Sequence, residues 1–245
     1  MIEASIKNYY PKARTGHEIT EAYLEFIQKE YNSDLDKVLF ATSLCCDDIN
    51  VSTDFRRVLR RPFTLGGLGG LPYAGLTGVS AFAQHIPDGG DAFILYGPHI
   101  GISDEGKIGT MRRPGQQHQT TCCGALMLAY DRLRAANTEN IDKENLLDTQ
   151  QMELQQSLVP FREQIAASNR PAKLITDITY NNIRERLFRL VRQSRLQFNC
   201  NRIFLLGGVI INTSPEFADY VDVRDFHVLS PQDLSGDQFI SKFIV

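Results

Sequence analysis

The chain has 245 residues, which is enough for one large domain or two small ones. Apolar residues make up 42% of it, an ordinary share for a globular protein with a sizeable core. The formal net charge of -3 offers no basic surface for nucleic acid and no polybasic patch for a membrane. No apolar run reaches about 18 residues, and the first residues lack the apolar stretch of a signal peptide, so we expect neither a membrane span nor a secretory signal.

Five cysteines, Cys45, Cys46, Cys122, Cys123 and Cys200, include two adjacent pairs. An odd number of cysteines without a secretory signal favours reduced thiols over a disulfide framework. We therefore expect a cytoplasmic protein, or an organellar one if a targeting extension has been removed. Reduced cysteines of this kind serve as core residues, metal ligands or nucleophiles.

The chain is predicted to begin with a helical segment at about 1–35. Residues 15–18 (TGHE) have the pattern of a capping box, in which the first and last side chains satisfy free backbone groups of a helix start. The apolar face of that helix comprises Ile19, Tyr23, Phe26 and Ile27. Residues 32–34 (NSD) are predicted to end it.

Continuous apolar runs indicate buried strands at 37–44, 92–97 and 203–211, and an alternating run at 220–229 indicates an edge or antiparallel strand. Helices are predicted over 121–135 with Thr120 and Thr121 as caps, over 143–167 with Pro160 as a kink or boundary, and over 177–198. Buried strands separated by helices predict the α/β class, with a mostly parallel central sheet flanked by helices. Because no repeat or clear linker interrupts this pattern, residues 1–245 are predicted to form a single domain.

Residues 62–80 are rich in glycine, but they contain no phosphate-binding motif. The stretch lacks G-x-x-x-x-G-K-[ST], and residues 66–70 (GGLGG) do not have the spacing of G-x-G-x-x-G. We therefore expect these glycines to permit close approach of the backbone to neighbouring segments.

Candidate metal ligands follow two predicted strands and begin one predicted helix. Residues 45–48 (CCDD) follow the first buried strand, His99 follows the second, and Cys122 and Cys123 stand at a helix start. In proteins with an open α/β sheet, bound molecules and ions lie beyond the carboxyl ends of the strands. Two thiolates and one imidazole suit zinc and leave one tetrahedral position open, which is the usual catalytic arrangement. From the pattern alone, buried core cysteines remain the alternative.

An ordered series of motifs carries a family resemblance over most of the chain. The motifs are 43–50 (SLCCDDIN), 63–72 (FTLGGLGGLP), 77–78 (TG), 85–88 (HIPD), 96–102 (YGPHIGI), 113–116 (RPGQ), 123–125 (CGA) and 206–212 (LGGVIIN). In these segments the chain resembles the limiting-CO2-inducible B/C family, the theta-type carbonic anhydrases. That family is related in fold to the beta class, so the resemblance implies a beta-carbonic-anhydrase-like α/β fold.

The resemblance implies one residue from each cysteine pair as a zinc ligand. The ligands fall on Cys45, which stands two residues before an aspartate, on His99, and on Cys123, which directly precedes Gly-Ala. Cys46 and Cys122 then become neighbours of the site, with Cys122 facing the core.

Asp47 matches the aspartate of the family's active site, where it would orient a zinc-bound hydroxide. In the beta class an arginine two residues later supports this aspartate, but the chain has Ile49 there. Arg113 is therefore the predicted cation, with a solvated loop cation as its alternative. A second departure is Leu76, which stands where the family often has a basic residue.

The resemblance implies a homodimeric, zinc-dependent carbonic anhydrase that interconverts CO2 and bicarbonate through a zinc-bound hydroxide. His85 and His118 are candidate hydrogen-bond donors near the site or proton shuttles, with structural histidines as the alternative. A second hypothesis is a zinc-binding homologue without strong catalysis, acting as a scaffold or bicarbonate-binding partner, which Leu76 favours. A third is a cysteine hydrolase that uses Cys45 or Cys123 with His99.

Overall fold

The computed structural model describes residues 2–47, 50–135, 146–233 and 237–240, with the backbone alone at 50–53. The helices are α1 (Ile2–Tyr9), α2 (Gly16–Tyr31), α3 (Asn50–Leu59), α4 (Gly75–Gln84), α5 (Gly124–Ala135), α6 (Thr149–Leu158), α7 (Arg162–Ala167) and α8 (Pro171–Gln193). The strands are β1 (Arg14–Thr15), β2 (Val38–Ser43), β3 (Phe63–Thr64), β4 (Asp91–Tyr96), β5 (His99–Gly101), β6 (Thr110–Arg112), β7 (Gln119–Thr121), β8 (Ile203–Asn212), β9 (Tyr220–Leu229) and β10 (Gln238–Phe239).

The capping box at the start of α2 is confirmed. The backbone N–H of Glu18 donates to the Thr15 hydroxyl at 3.3 Å, and the backbone N–H of Thr15 donates to the Glu18 carboxylate at 2.9 Å. The helix ends at Asn32, whose left-handed φ of 52° is the usual way for a helix to stop. Both ends of α2 are therefore determined by residues of the local sequence.

The central sheet has the strand order β1-β9-β8-β4-β2-β3, with β5 also on β8 and β10 on β9. The strands β3, β2, β4, β8 and β5 are mutually parallel, whereas β9 runs antiparallel to β8, β1 and β10. The prediction of an α/β fold with a mostly parallel central sheet is confirmed. Of the two alternatives predicted for 220–229, the antiparallel one is confirmed and the edge one is wrong, because β9 pairs with β8 on one side and with β1 and β10 on the other.

Both faces of the sheet are covered, which explains the continuous apolar runs of its central strands. Within β4, Ile94 and Tyr96 belong to the core on the side of α4, α5, α6 and α8. Phe93 and Leu95 point to the opposite face, into the core formed with α2 and α3. Because every residue of β4 is buried, neither face of this strand needs polar side chains.

The predicted helix over 121–135 begins later, at Gly124. Thr120 and Thr121 do not cap it, because they belong to β7 and pair with β6 in a separate two-stranded hairpin. Threonine is β-branched and fits a strand well, and the hairpin uses the backbone of these residues for cross-strand hydrogen bonds.

The other predicted helices also differ at their ends. The helix predicted over 143–167 is divided, since a short 3-10 turn at Val159–Phe161, which contains Pro160, separates α6 from α7. Residues 143–145 lie outside the described residues. The helix predicted over 177–198 runs from Pro171 to Gln193, because a proline is well placed in a first helical turn. Among the described helices, none is both long and apolar enough to cross a bilayer.

Candidate metal centre

Three buried side chains from distant parts of the chain meet at one point. The ligand atoms of Cys45, His99 and Cys123 all lie within 4.8 Å of one another. Cys45 follows the end of β2, His99 begins β5 just beyond β4, and Cys123 directly precedes α5. The fold therefore brings together the three residues that the family resemblance implied, close to the carboxyl ends of two neighbouring parallel strands.

The spacing of the two sulfur atoms fits a tetrahedral metal. The Sγ atoms of Cys45 and Cys123 are 3.7 Å apart. Two sulfur ligands at about 2.3 Å from one zinc ion, at a tetrahedral angle, lie roughly 3.8 Å from each other. The donor set of two sulfurs and one imidazole nitrogen also matches the preference of zinc.

His99 has one nitrogen engaged and one directed at the cysteines. Its Nδ1 lies 2.7 Å from Oδ1 of Asn212 and 3.5 Å from Sγ of Cys122. Its Nε2 is buried, and no described residue offers it a hydrogen bond. A buried polar atom without a partner is unfavourable, and a metal ion bound at Nε2 would satisfy it.

Two neighbouring thiols create an electrostatic problem that a cation would solve. The contact with Cys123 and burial together raise the pKa of the Cys45 thiol far above its usual value. Burial lowers the pKa of His99, but its contacts with Cys122 and Cys45 outweigh this and raise it well above the ordinary value. Because buried thiolates repel each other, ionisation of Cys45 beside Cys123 needs a positive charge close by.

Asp47 and Arg113 form an ion pair at the edge of this group. The Arg113 guanidinium donates a short hydrogen bond to Oδ2 of Asp47, and that oxygen lies 4.0 Å from Nε2 of His99. Burial lowers the pKa of Arg113, but the bond to Asp47 outweighs this and leaves it above its usual value. Arg113 is therefore a fixed cation, and it holds the Asp47 carboxylate beside the metal-site atoms.

The glycine-rich stretch lies directly against the chain that carries Cys45. A Cβ on Gly66 would stand 2.3 Å from the carbonyl oxygen of Leu44, so only glycine fits there. The backbone N–H of Cys46 donates to the carbonyl of Gly67 at 3.3 Å. The predicted role of these glycines in close backbone approach is confirmed at this position.

The remaining polar candidates lie outside the buried group. Cys46 is exposed, whereas Cys122 is buried and contacts the His99 ring, as the core-facing interpretation predicted. His85 is exposed at the end of α4, where its ring contacts the carbonyl of Ala81. His118 is exposed in the β6–β7 loop that also carries Arg113.

Sequence reasoning assigned no role to two residues behind His99. Asn212 ends β8 and contacts Nδ1 of His99, and its Nδ2 donates to the Asp219 carboxylate at 3.0 Å. A polar residue at the end of an apolar strand was the available signal for Asn212. Asp219 has no such signal, because its position depends on the turn between β8 and β9.

The fold and site together define a class: an α/β protein with a buried Cys-His-Cys group at the carboxyl ends of its parallel strands. Residues 15–230 match the family model described as limiting CO2-inducible proteins B/C beta carbonic anhydrases. The chain belongs to this carbonic-anhydrase-like family, as the motif series implied.

Solved structures agree with this assignment. The crystal structure of PtLCIB4, a homolog of the limiting CO2-inducible protein LCIB, is 30% identical with a TM-score of 0.86, over 97% of this chain and 98% of that chain. A histidine-to-alanine mutant of PtLCIB4 is likewise 30% identical, with a TM-score of 0.87 over 99% of this chain and 98% of that chain. The structure of LCIB itself is 17% identical with a TM-score of 0.72 over 96% of each chain, which supports the fold alone. A search among curated proteins found no match.

Proposed function

We propose that this protein is a zinc-dependent carbonic anhydrase that interconverts CO2 and bicarbonate. Two observations support the proposal: membership of a carbonic-anhydrase-like family, and the buried group of Cys45, His99 and Cys123 with ligand atoms within 4.8 Å. The group of three ligand atoms is the observation that carries it, because such a set leaves one tetrahedral position for substrate chemistry.

Cys45, His99 and Cys123 would hold the zinc ion through two sulfur atoms and Nε2 of the imidazole. Bound zinc supplies Lewis acidity, which brings the pKa of a water ligand near neutrality and so provides a nucleophile at physiological pH. Burial of all three side chains keeps bulk water from competing for the ligand atoms.

Asp47 would orient the nucleophile by accepting its hydrogen bond. The distance of 4.0 Å between its Oδ2 and Nε2 of His99 supports this role. Because an ionised carboxylate can only accept hydrogen bonds, Asp47 would orient the hydrogen of a bound nucleophile toward itself and so leave a lone pair of that nucleophile available to CO2. Arg113 donates to the same oxygen and keeps this carboxylate in place.

A stopped-flow CO2 hydration assay on zinc-loaded protein tests the activity. Cys45→Ala and His99→Ala are expected to abolish zinc binding and hydration, because each removes one of three ligands. Cys46→Ala is the matched control, since Cys46 is adjacent to Cys45 but exposed, and it should retain both. Unchanged activity in the two ligand variants would contradict the proposal.

The same assay separates the competing hypotheses. Bound zinc with hydration no faster than in buffer would identify a zinc-binding scaffold instead of an enzyme. A protein that binds no zinc and loses a hydrolytic activity on alkylation would identify a cysteine hydrolase. The Asp47–Arg113 pair favours the enzyme, because a scaffold needs no oriented carboxylate beside its metal.

We also propose, on the family resemblance alone, that the protein acts as a homodimer. Sedimentation velocity at micromolar concentration measures this directly. A single species with the mass of one chain, 27.6 kDa, would contradict it.

A further inference from the structure

A line of three polar side chains leads from the candidate metal ligand away from the site. Nδ1 of His99 lies 2.7 Å from Oδ1 of Asn212, and Nδ2 of Asn212 donates to Oδ2 of Asp219 at 3.0 Å. The other carboxylate oxygen of Asp219 accepts the backbone N–H of Thr213 at 2.8 Å. His99 and Asn212 are both buried, at 1% and 2% exposure, so the bond between them is shielded from solvent, whereas Asp219 is half-buried.

Only one orientation of the Asn212 side-chain amide is compatible with these hydrogen bonds. A carboxylate accepts hydrogen bonds and cannot donate them, so Asn212 must present its NH2 group to Asp219. The amide oxygen of Asn212 then faces His99. An oxygen acceptor requires a proton on Nδ1, and a neutral imidazole with a proton on Nδ1 has its free lone pair on Nε2.

We propose that Asp219, acting through Asn212, fixes the tautomer of His99 that directs a lone pair at the metal position. Asp219 and Asn212 are thus positioning residues for the metal ligand. This inference rests on the metal site of the proposed function, and it adds two residues to that site. Groups that hold the second nitrogen of a ligating histidine typically change metal affinity by about 10- to 100-fold.

Asp219→Asn reverses the polarity of the line with almost no change in shape. The backbone N–H of Thr213 still requires an oxygen acceptor, so the new amide at position 219 turns its NH2 group toward Asn212. Asn212 must then rotate, with its oxygen toward position 219 and its NH2 group toward Nδ1 of His99. Nδ1 of His99 then accepts a hydrogen bond and the imidazole proton moves to Nε2. Nε2 no longer has a free lone pair to bind a metal ion.

The exchange of both residues restores the original polarity. In the double variant Asn212→Asp/Asp219→Asn, the amide at position 219 donates to the carboxylate at position 212. That carboxylate accepts from Nδ1 of His99, so the lone pair returns to Nε2. A role of Asp219 in local folding alone predicts no such recovery, because the double variant departs further from the natural sequence.

The test is the zinc dissociation constant, measured by competition with a chromophoric chelator, for the full-length wild-type protein and both variants. We expect Asp219→Asn to weaken zinc binding by about 10- to 100-fold, and the double variant to recover most of this loss. Asp237→Asn is the matched control: it removes a carboxylate that pairs with Arg195, beyond the opposite end of β9, and should leave zinc affinity unchanged.

Three outcomes would overturn the inference: equal zinc affinity in wild-type protein and Asp219→Asn, a double variant no better than the single one, or a wild-type protein that binds no zinc. Thermal unfolding of each metal-free variant shows whether it is folded. If Asp219→Asn does not fold, the double variant decides, since zinc binding near the wild-type value supports the inference and weak binding refutes it. CO2 hydration is recorded separately, so an inactive protein with the expected zinc affinities would refute the proposed function and leave this inference standing.

Discussion

The contact between Gly66 and Leu44 makes Gly66→Ala a direct test of the candidate metal site. The added Cβ would lie 2.3 Å from the Leu44 carbonyl oxygen, and ordinary contact begins at 3.4 Å, so the two backbones must separate by about 1 Å. Overpacking of this kind costs about 1–3 kcal/mol. Because Leu44 directly precedes Cys45, this backbone shift would displace the Cys45 sulfur, and a metal site tolerates changes in ligand distance of only about 0.2 Å. If about 1.4 kcal/mol of this cost weakens metal binding, the zinc affinity drops about tenfold.

The assay combines chelator competition for zinc with thermal unfolding of the metal-free protein. The control is Gly89→Ala, since Gly89 has a φ of 68° and nothing within 4 Å of its added Cβ. This variant carries only the left-handed backbone penalty of about 1–2 kcal/mol and does not touch the site. We expect similar losses of stability in both variants but weaker zinc binding in Gly66→Ala alone. Wild-type zinc affinity in Gly66→Ala would refute the reasoning.

Three further predictions concern other contacts. Arg113→Gln should still bind zinc but lower kcat/KM for CO2 hydration about tenfold, because it loses a charge-assisted hydrogen bond to the Asp47 carboxylate. The control Arg112→Gln should leave kcat/KM unchanged. An equal loss of kcat/KM in both variants would contradict the role of Arg113. Thr15→Ala should lower the free energy of unfolding in urea by about 1 kcal/mol through loss of the cap, and no change would contradict the capping argument. Burial lowers the pKa of His227 in the folded protein, so the unfolded state binds a proton there more readily and the free energy of unfolding falls as the pH drops below about 6.5. His227→Gln should therefore lose less stability than the wild-type protein between about pH 7 and pH 5. Equal losses would contradict the predicted direction of this pH dependence.

The parts of the fold that local sequence determines were predictable. The capping box of α2 depends on residues three positions apart, so its pattern can be read directly from Thr15 and Glu18. The buried strands were equally clear, because both faces of β4 and β8 lie in a core and leave uninterrupted apolar runs. Their order in the sheet was not predicted, because apolar runs do not specify which strands are neighbours.

The parts that depend on tertiary contacts were not predictable from local patterns. Residues 75–84 form α4 although they include two glycines, because Phe82 and Val79 bury the apolar face of the helix against the core. Thr120 and Thr121 are reasonable helix caps in isolation, but pairing with β6 takes their backbone groups. Asp219 reaches Asn212 across a turn whose geometry no local signal specifies.

The hairpin of β6 and β7 carries the cation that contacts Asp47. Cys45 lies just after β2 and His99 begins β5 of the central sheet, whereas Arg113 lies in the loop of a separate two-stranded sheet. The neighbouring Arg112 forms only a solvent-accessible ion pair with Glu216. Cys123 stands two residues after β7, so the hairpin that carries the cation beside Asp47 also leads directly into the third candidate ligand. Substitutions confined to the loop between β6 and β7 therefore offer a way to vary the surroundings of Asp47 while both hairpin strands and the central sheet stay unchanged.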